Sequence, residues 1–491
     1  MNDRPAVRRL ARDVVLAGTA DALRVLRFLV VLPLLSRSLG VEAYGVWSQL
    51  KVSSTFLGSL ASLGMATAVL RFLGGEYPGT VRDGFNSALW AAVAGSLVFV
   101  AALLTWPGQA ASLLFGEPGL SVFVVATSLY LVLEVVDLVV VSYLRATRQM
   151  GIHLTGIAFE VFGEIGLVWT MVTRETALTG VVFGIVGWKA LVVLSKLAGT
   201  WHQVGTAWPR ASIVRRYLAF GVPLALSGLG YLIVNYGDRY FINYFMGIGQ
   251  VGTYAAAYAV GSLTIVLCTP IDYVLYPAIA AEWNAGRASE ARRHVEMMLQ
   301  WLVVLLVPIL AGLAVLARPI MATMATGTAG SAAPVAVFVA IGFAIFYMGI
   351  VGQRVLVLAN RAGIVTATYA GLAFVNIGLN VILIPRLGLI GAAAATLASF
   401  AGYSAVMLVL ARKHCDFGFP FSVLWRSAAA GLAEGLVLLP LAREGAAPIA
   451  WAIAAGGLAY GVTLLAVGGV RLDTLRALVR DELPVVAQRA E

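Results

Sequence analysis

The stretch from Asn235 to Val260 reads NYGDRYFINYFMGIGQVGTYAAAYAV, and its reading decides the fold. One apolar helix ends in charged and aromatic residues, the chain turns on glycines, and a second apolar helix begins. Asp238 and Arg239 lie inside a hydrophobic span. Hydrocarbon penalises such charges by at least about 2.5 to 3.5 kcal/mol each, so a charge at this depth marks a functional or helix-pairing position. The turn Gly247-Ile248-Gly249-Gln250-Val251-Gly252 has the form GxGxxG. That fingerprint binds a dinucleotide only where it leaves a strand and opens a helix within a βαβ unit, whereas here it joins two apolar helices, so the nucleotide reading is rejected.

The same alternation fills the rest of the chain. Of 491 residues 60% are hydrophobic and 12% charged, with a mean hydropathy of +0.90. A soluble domain carries about 25% charged residues, so this is an all-α, polytopic membrane protein. Apolar runs of crossing length predict about fourteen spans, at roughly 12–36, 43–70, 83–106, 119–144, 151–173, 177–200, 218–245, 250–280, 295–317, 332–353, 362–384, 388–411, 423–441 and 447–469.

The net charge of +10 belongs to the loops rather than to a nucleic-acid surface. About two thirds of the basic residues fall in the two ends of the chain and the even-numbered loops, and about five in the odd-numbered loops, which places both termini in the cytoplasm. Arg4, Arg8, Arg9 and Arg12 precede an apolar run too long for a signal sequence, which is expected to be retained as the first span. Cys268 and Cys415 imply no disulfide, and His153, His202, His294 and His414 lack ligand spacing, so no metal or other cofactor is expected.

An internal repeat organises the spans. Leu39 to Trp47 (LGVEAYGVW) aligns with Met246 to Tyr254 (MGIGQVGTY), and Ala146-Thr147-Arg148 with Ala359-Asn360-Arg361. Six spans separate the copies, so the second enters from the same side and the repeat is parallel, as in transporters built from two lobes. The expected domains are an N-lobe over roughly 1–208, a C-lobe over 209–413, two extra C-terminal helices over 414–470 and an amphipathic tail over 471–491. A second amphipathic piece, Ala288 to Met298, is expected to lie on the inner leaflet.

The polar residues inside spans are the candidate site. Asp21, Arg24 and Arg27 form one stripe near mid-membrane in span 1. Asp21 either neutralises one of the arginines or leaves a guanidinium free to grip an anionic headgroup through paired hydrogen bonds. Asn235, Asp238 and Arg239 make the outward half of span 7 polar and serve either as substrate contacts or as an outer gate. Glu134 and Asp137, then Glu160 and Glu164, pair on single helix faces, with Asp272 in span 8 and Glu434 in span 13. These carboxylates either pair with Lys51, Lys189 or the arginines, or carry a coupling Na+ or H+.

Leu32-Pro33-Leu34-Leu35-Ser36-Arg37-Ser38-Leu39-Gly40, with Glu42 and Tyr44-Gly45, resembles the opening signature of the prokaryotic polysaccharide transporters, the lipid-linked oligosaccharide (O-antigen-type) flippases. Phe220-Gly221-Val222-Pro223-Leu224, Asp238-Arg239 through Gly252-Thr253-Tyr254, and Asn376-Ile377-Gly378-Leu379-Asn380 through Ile384-Pro385 and Gly388 to Gly391 agree in order and spacing. The resemblance implies a V-shaped cleft between two six-helix lobes, worked by alternating access in a prokaryotic cytoplasmic membrane. It implies a polyprenyl-pyrophosphate-linked oligosaccharide as substrate, membrane lipids and polysaccharide-assembly proteins as partners, and no chemical reaction. Arg24 and Arg27 are the positions that fit its cationic cavity. The alternatives are an ion-coupled multidrug or cation exporter of the same superfamily and a membrane-embedded glycan ligase or polymerase. The short outer loops speak against the last of these.

Overall fold

The computed structural model describes residues 4–74, 78–324, 329–442 and 448–469. Among them are seventeen α-helices and no strand. In chain order they are α1 (Arg4–Ser38), α2 (Val41–Ala61), α3 (Met65–Phe72), α4 (Pro78–Thr105), α5 (Pro107–Phe115), α6 (Ser121–Ala146), α7 (Met150–Thr173), α8 (Leu178–Val204) and α9 (Ala211–Tyr236). Then follow α10 (Asp238–Met246), α11 (Ile248–Asn284), α12 (Ala288–Met324), α13 (Ala329–Leu358), α14 (Ala362–Leu387), α15 (Leu389–Arg412), α16 (Phe421–Leu441) and α17 (Ile449–Ala466). Helix is the expected answer wherever backbone groups have no water to bond and must be satisfied within the segment.

Twelve of these helices are long and apolar enough to cross a membrane, or thirteen if α2 and α3 form one bent span. The difference from the expected fourteen is α1, where Arg8, Arg9, Arg12 and Asp13 near the start and Asp21, Arg24 and Arg27 in the middle leave too much charge in every window of crossing length. The expected span over 43–70 is bent by 58° between α2 and α3. Leu63 (φ 49°) and Gly64 (φ 72°) are both left-handed there. Ala288 to Met298 is not a separate surface helix. It forms the first turns of α12, and the buried row Ala291, Val295, Met298, Leu302 runs through it without a break. The tail over 471–491 lies outside the described residues.

The chain sorts into two compact units. The first runs to Ala256 and includes Tyr369–Gly388; the second holds Ala257–Thr323, all of α13 and the helices from Leu389 onward. Within the first unit the repeat is visible in the backbone. Gly40, before α2, has φ 88° and ψ 164°, and its counterpart Gly247, before α11, has φ 84° and ψ 168°. A Cβ on Gly45 would stand 2.3 Å from Ile248 O, and one on Gly252 would stand 2.0 Å from Val41 O. Ile248 is the repeat partner of Val41, so the contact is its own mirror under the repeat. Only glycine allows the two helix backbones to meet this closely.

Candidate functional site

The site lies in the first unit, between α1, α2, α6, α7 and α8, with the end of α9 at one side. These helices are mainly apolar, yet each turns long charged side chains towards a common space. Two adjoining cavities share Arg24, Arg27, Lys51 and Thr55. One, of about 340 Å³, adds Tyr130, Glu134, Asp137, His153, Glu160, Lys189 and Lys196 to its lining. The other, of about 220 Å³, is more aromatic, with Phe28, Tyr44, Trp47 and Tyr236 beside Ser48 and Glu164.

Close packing sets the charges in register. On α7, Gly163 sits between Glu160 and Glu164, and a Cβ there would stand 1.8 Å from the Trp188 ring of α8. Trp188 donates its ring N–H to Glu160 O at 3.2 Å. The stem of Lys196 crosses α7 at Gly156, where a Cβ would stand 3.1 Å from its Cδ. The ammonium groups of Lys189 and Lys196, two turns apart on α8, thereby reach the carboxylates of α6 and α7.

Lys189 Nζ lies 3.0 Å from Glu160, 3.1 Å from Asp137 and 3.6 Å from Glu134. Lys196 Nζ pairs with Asp137 and lies 3.8 Å from Glu160. Arg27 Nη1 stands 3.4 Å from Glu160 and 3.3 Å from Glu164. Arg24 Nη1 is bonded to Asp21 at 2.6 Å. Charges taken this far from water persist only when paired and hydrogen-bonded, and this lattice of salt bridges meets that demand.

Neither arginine of α1 is therefore the free guanidinium that the stripe allowed. Arg24 takes Asp21, and Arg27 takes the two carboxylates of α7. The cavity cation with no carboxylate within 4 Å, among the described residues, is Lys51 of α2. Its ammonium stands 5.6 Å from the centre of the Trp47 ring and faces both cavities. Glu134, Asp137, Glu160 and Glu164 all partner cations, chiefly Lys189.

Asn235, Asp238 and Arg239 line neither cavity. All three are buried, with Asp238 fully enclosed. Arg239 Nη1 bonds Asn235 O at 3.0 Å and stands 3.3 Å from Asp238, while the Tyr254 hydroxyl of α11 donates to Asp238 Oδ2. The pair thus fastens α10 to α11 beside the glycine crossing. In the second unit, Arg354 of α13 makes a two-pronged bond to Asp272 of α11, at 3.0 and 2.6 Å, and lies over Tyr276. Arg354, Lys196 and His153 were not singled out as site residues in the sequence. Lys189 and Lys196 carried a signal, seven residues apart in one apolar run, but their partners are remote in sequence. Among the described residues no group of three His, Cys, Asp or Glu side chains could hold a metal ion.

Comparison with known proteins agrees with this architecture. The fold superposes on the lipid II flippase MurJ in an inward closed conformation with a TM-score of 0.76, covering 96% of this chain and all of that one at 13% identity. An inward-facing multidrug resistance MATE transporter of the MOP superfamily follows with a TM-score of 0.66 over 79% of this chain and 93% of its own, at 12% identity. An uncharacterised membrane protein of Methanocaldococcus jannaschii, MJ1068, is 25% identical over 186 residues, 38% of this chain and 36% of its own. The probable flippase AglR of Haloferax volcanii is 29% identical over 178 residues, 35% of this chain and 37% of its own. The match thus spans little more than a third of either curated relative. The profile of the polysaccharide biosynthesis protein family matches residues 10–283, more than half of the chain and every helix that lines the two cavities, and the chain belongs to that family.

Proposed function

We propose that the chain is a flippase that moves a polyprenyl-pyrophosphate-linked oligosaccharide from the inner to the outer leaflet of a prokaryotic cytoplasmic membrane, by alternating access of two repeat-related lobes and with both termini in the cytoplasm. No bond is made or broken. The observation that carries this reading is a cavity between apolar helices holding five cations, one of which, Lys51, has no carboxylate within 4 Å among the described residues. A diphosphate fits that surplus. Lys51 takes one phosphate oxygen as a point charge, and the half-exposed Arg24, bonded to Asp21 through Nη1, offers its remaining N–H groups. Arg27 fixes the α7 carboxylates and keeps the site from repelling an anion. Trp47, Tyr44 and Tyr236 supply flat faces for sugar rings beside the cations. Asn235, Asp238 and Arg239 hold α10 in place rather than touch the substrate.

The energetics suit outward movement. A headgroup with about two negative charges gains on the order of 4 to 5 kcal/mol when moved out down a potential of 100 mV, inside negative. A cation exporter would need an unpaired carboxylate in the cavity, and the four here all stand within 4 Å of a lysine or arginine. The test is a strain lacking the gene. Lipid-linked oligosaccharide should accumulate there, shielded from an impermeant glycosidase, and wild type but not Lys51→Ala should restore access. Normal, fully accessible glycan in that strain would remove the reading.

A further inference from the structure

Five of the acidic residues within the helices, Glu134, Asp137, Glu160, Glu164 and Asp272, have a lysine or arginine nitrogen within 4 Å. Glu434 of α16 has none. Its side chain is buried, and Oε2 has no hydrogen-bond partner among the described residues. Oε1 points at α12, where a Cβ on Gly312 would stand 3.2 Å away. One turn to either side on the same face, Ala430 and Leu438 are buried in two separate apolar clusters. The carboxyl is thus enclosed between hydrocarbon above and below. The titratable neighbour facing it is Tyr460 of α17, whose hydroxyl donates instead to Val304 O of α12 at 2.7 Å. A carboxylate with neither donor nor cation is far costlier in such a place than a neutral acid.

We propose that Glu434 is a proton-binding site in the interior of the second unit, loaded in the conformation described here, and that the proton exchanged there is the ion coupled to transport. The coupling half of this statement rests on the chain being a transporter. Exchange needs no further reactant: the acid gives its proton to water when α16 parts from α12 at Gly312, and the carboxylate so formed takes one back before the helices close. A single carboxyl without other oxygen ligands selects a proton over a metal cation. The five paired acids, held by their cations, are poorer carriers.

The first experiment is infrared spectroscopy of the purified full-length chain near neutral pH. The difference between wild type and Glu434→Gln should show the loss of one protonated-carboxyl C=O stretch. If the Gln variant does not fold, Glu434→Asp should shift that band. A spectrum unchanged by the substitution overturns the proton site. The second experiment uses vesicles with an imposed pH gradient and a fluorescent polyprenyl-diphosphate glycan. Wild type should speed up severalfold under the gradient, and Glu434→Gln should run at one rate with or without it. A Gln variant that still responds, or a wild type driven by a Na+ gradient alone, overturns the coupling. If wild type moves no glycan lipid at all, the flippase reading and the coupling fall together, while the infrared result still decides whether Glu434 holds a proton.

Discussion

Replacing Lys189 by Met keeps the apolar stem and removes one charge from the centre of the salt-bridge lattice. Its ammonium stands within 3.6 Å of three carboxylates, and the side chain is only 7% exposed. Taking away one partner of a buried pair costs about 3 to 5 kcal/mol, because the other charge is left without compensation. Lys196 still serves Asp137 and Glu160, and Arg27 still serves Glu160, which favours the lower end, about 3 kcal/mol. Glu134 loses its lysine partner but is the most exposed of the three and recovers some hydration. The assay is denaturant unfolding in micelles of wild type, Lys189→Met, Glu160→Gln and the double variant. The double variant should lose less than the sum of the singles by at least about 1 kcal/mol, as residues sharing one network do. A loss below about 1 kcal/mol for Lys189→Met, the range of exposed ion pairs, would refute the claim that these charges are buried and interlocked.

Further substitutions probe other parts of the structure. Gly252→Val drives a side chain into Val41 O and should lower the melting temperature and abolish transport, whereas Gly249→Ala, with nothing within 4 Å, should leave both unchanged. Gly163→Val meets the Trp188 ring, so α7 must shift and the lattice loosen; a cost of about 1 to 3 kcal/mol in the same unfolding assay is expected, and wild-type stability would contradict the packing. Arg354→Gln leaves Asp272 without a cation and should destabilise by about 3 kcal/mol, with Asp272→Asn on top of it restoring a measurable part.

How far the sequence could be read follows from what each feature depends on. Apolar runs are one-dimensional, so the long helices from α4 to α17 were legible, and so was the glycine turn at Gly247, whereas the short α5 falls between two expected spans and α9 and α10 divide one. The likeness of the turns at Gly40 and Gly247 was legible too, because both need φ near +85° and no other residue takes that conformation readily. The bend after α2 was not, since nothing beside Leu63 announces a left-handed residue there. Nor was the fusion of Ala288 to Met298 with α12, because a basic amphipathic turn looks the same on a leaflet as at the foot of a span. The Asp21–Arg24 bridge was legible as one turn of helix. Arg27 finding Glu164, 137 positions away, was not, for that pairing exists only once α1 lies on α7. Lys51 was not legible as the cation without a carboxylate partner, because the helices that carry the carboxylates, α6 and α7, are remote from it in sequence.

The most direct test of the account is transbilayer movement of a fluorescent polyprenyl-diphosphate glycan by the purified chain in vesicles, read as the fraction quenched by an impermeant reductant. Wild type should bring the inner-leaflet pool out within the assay, Lys51→Ala should fail, and Lys51→Arg should retain most of the rate because the charge at that point in the cavity is kept. Lys51→Ala moving the lipid as fast as wild type, or wild type exporting an organic cation while leaving the lipid in place, would contradict it.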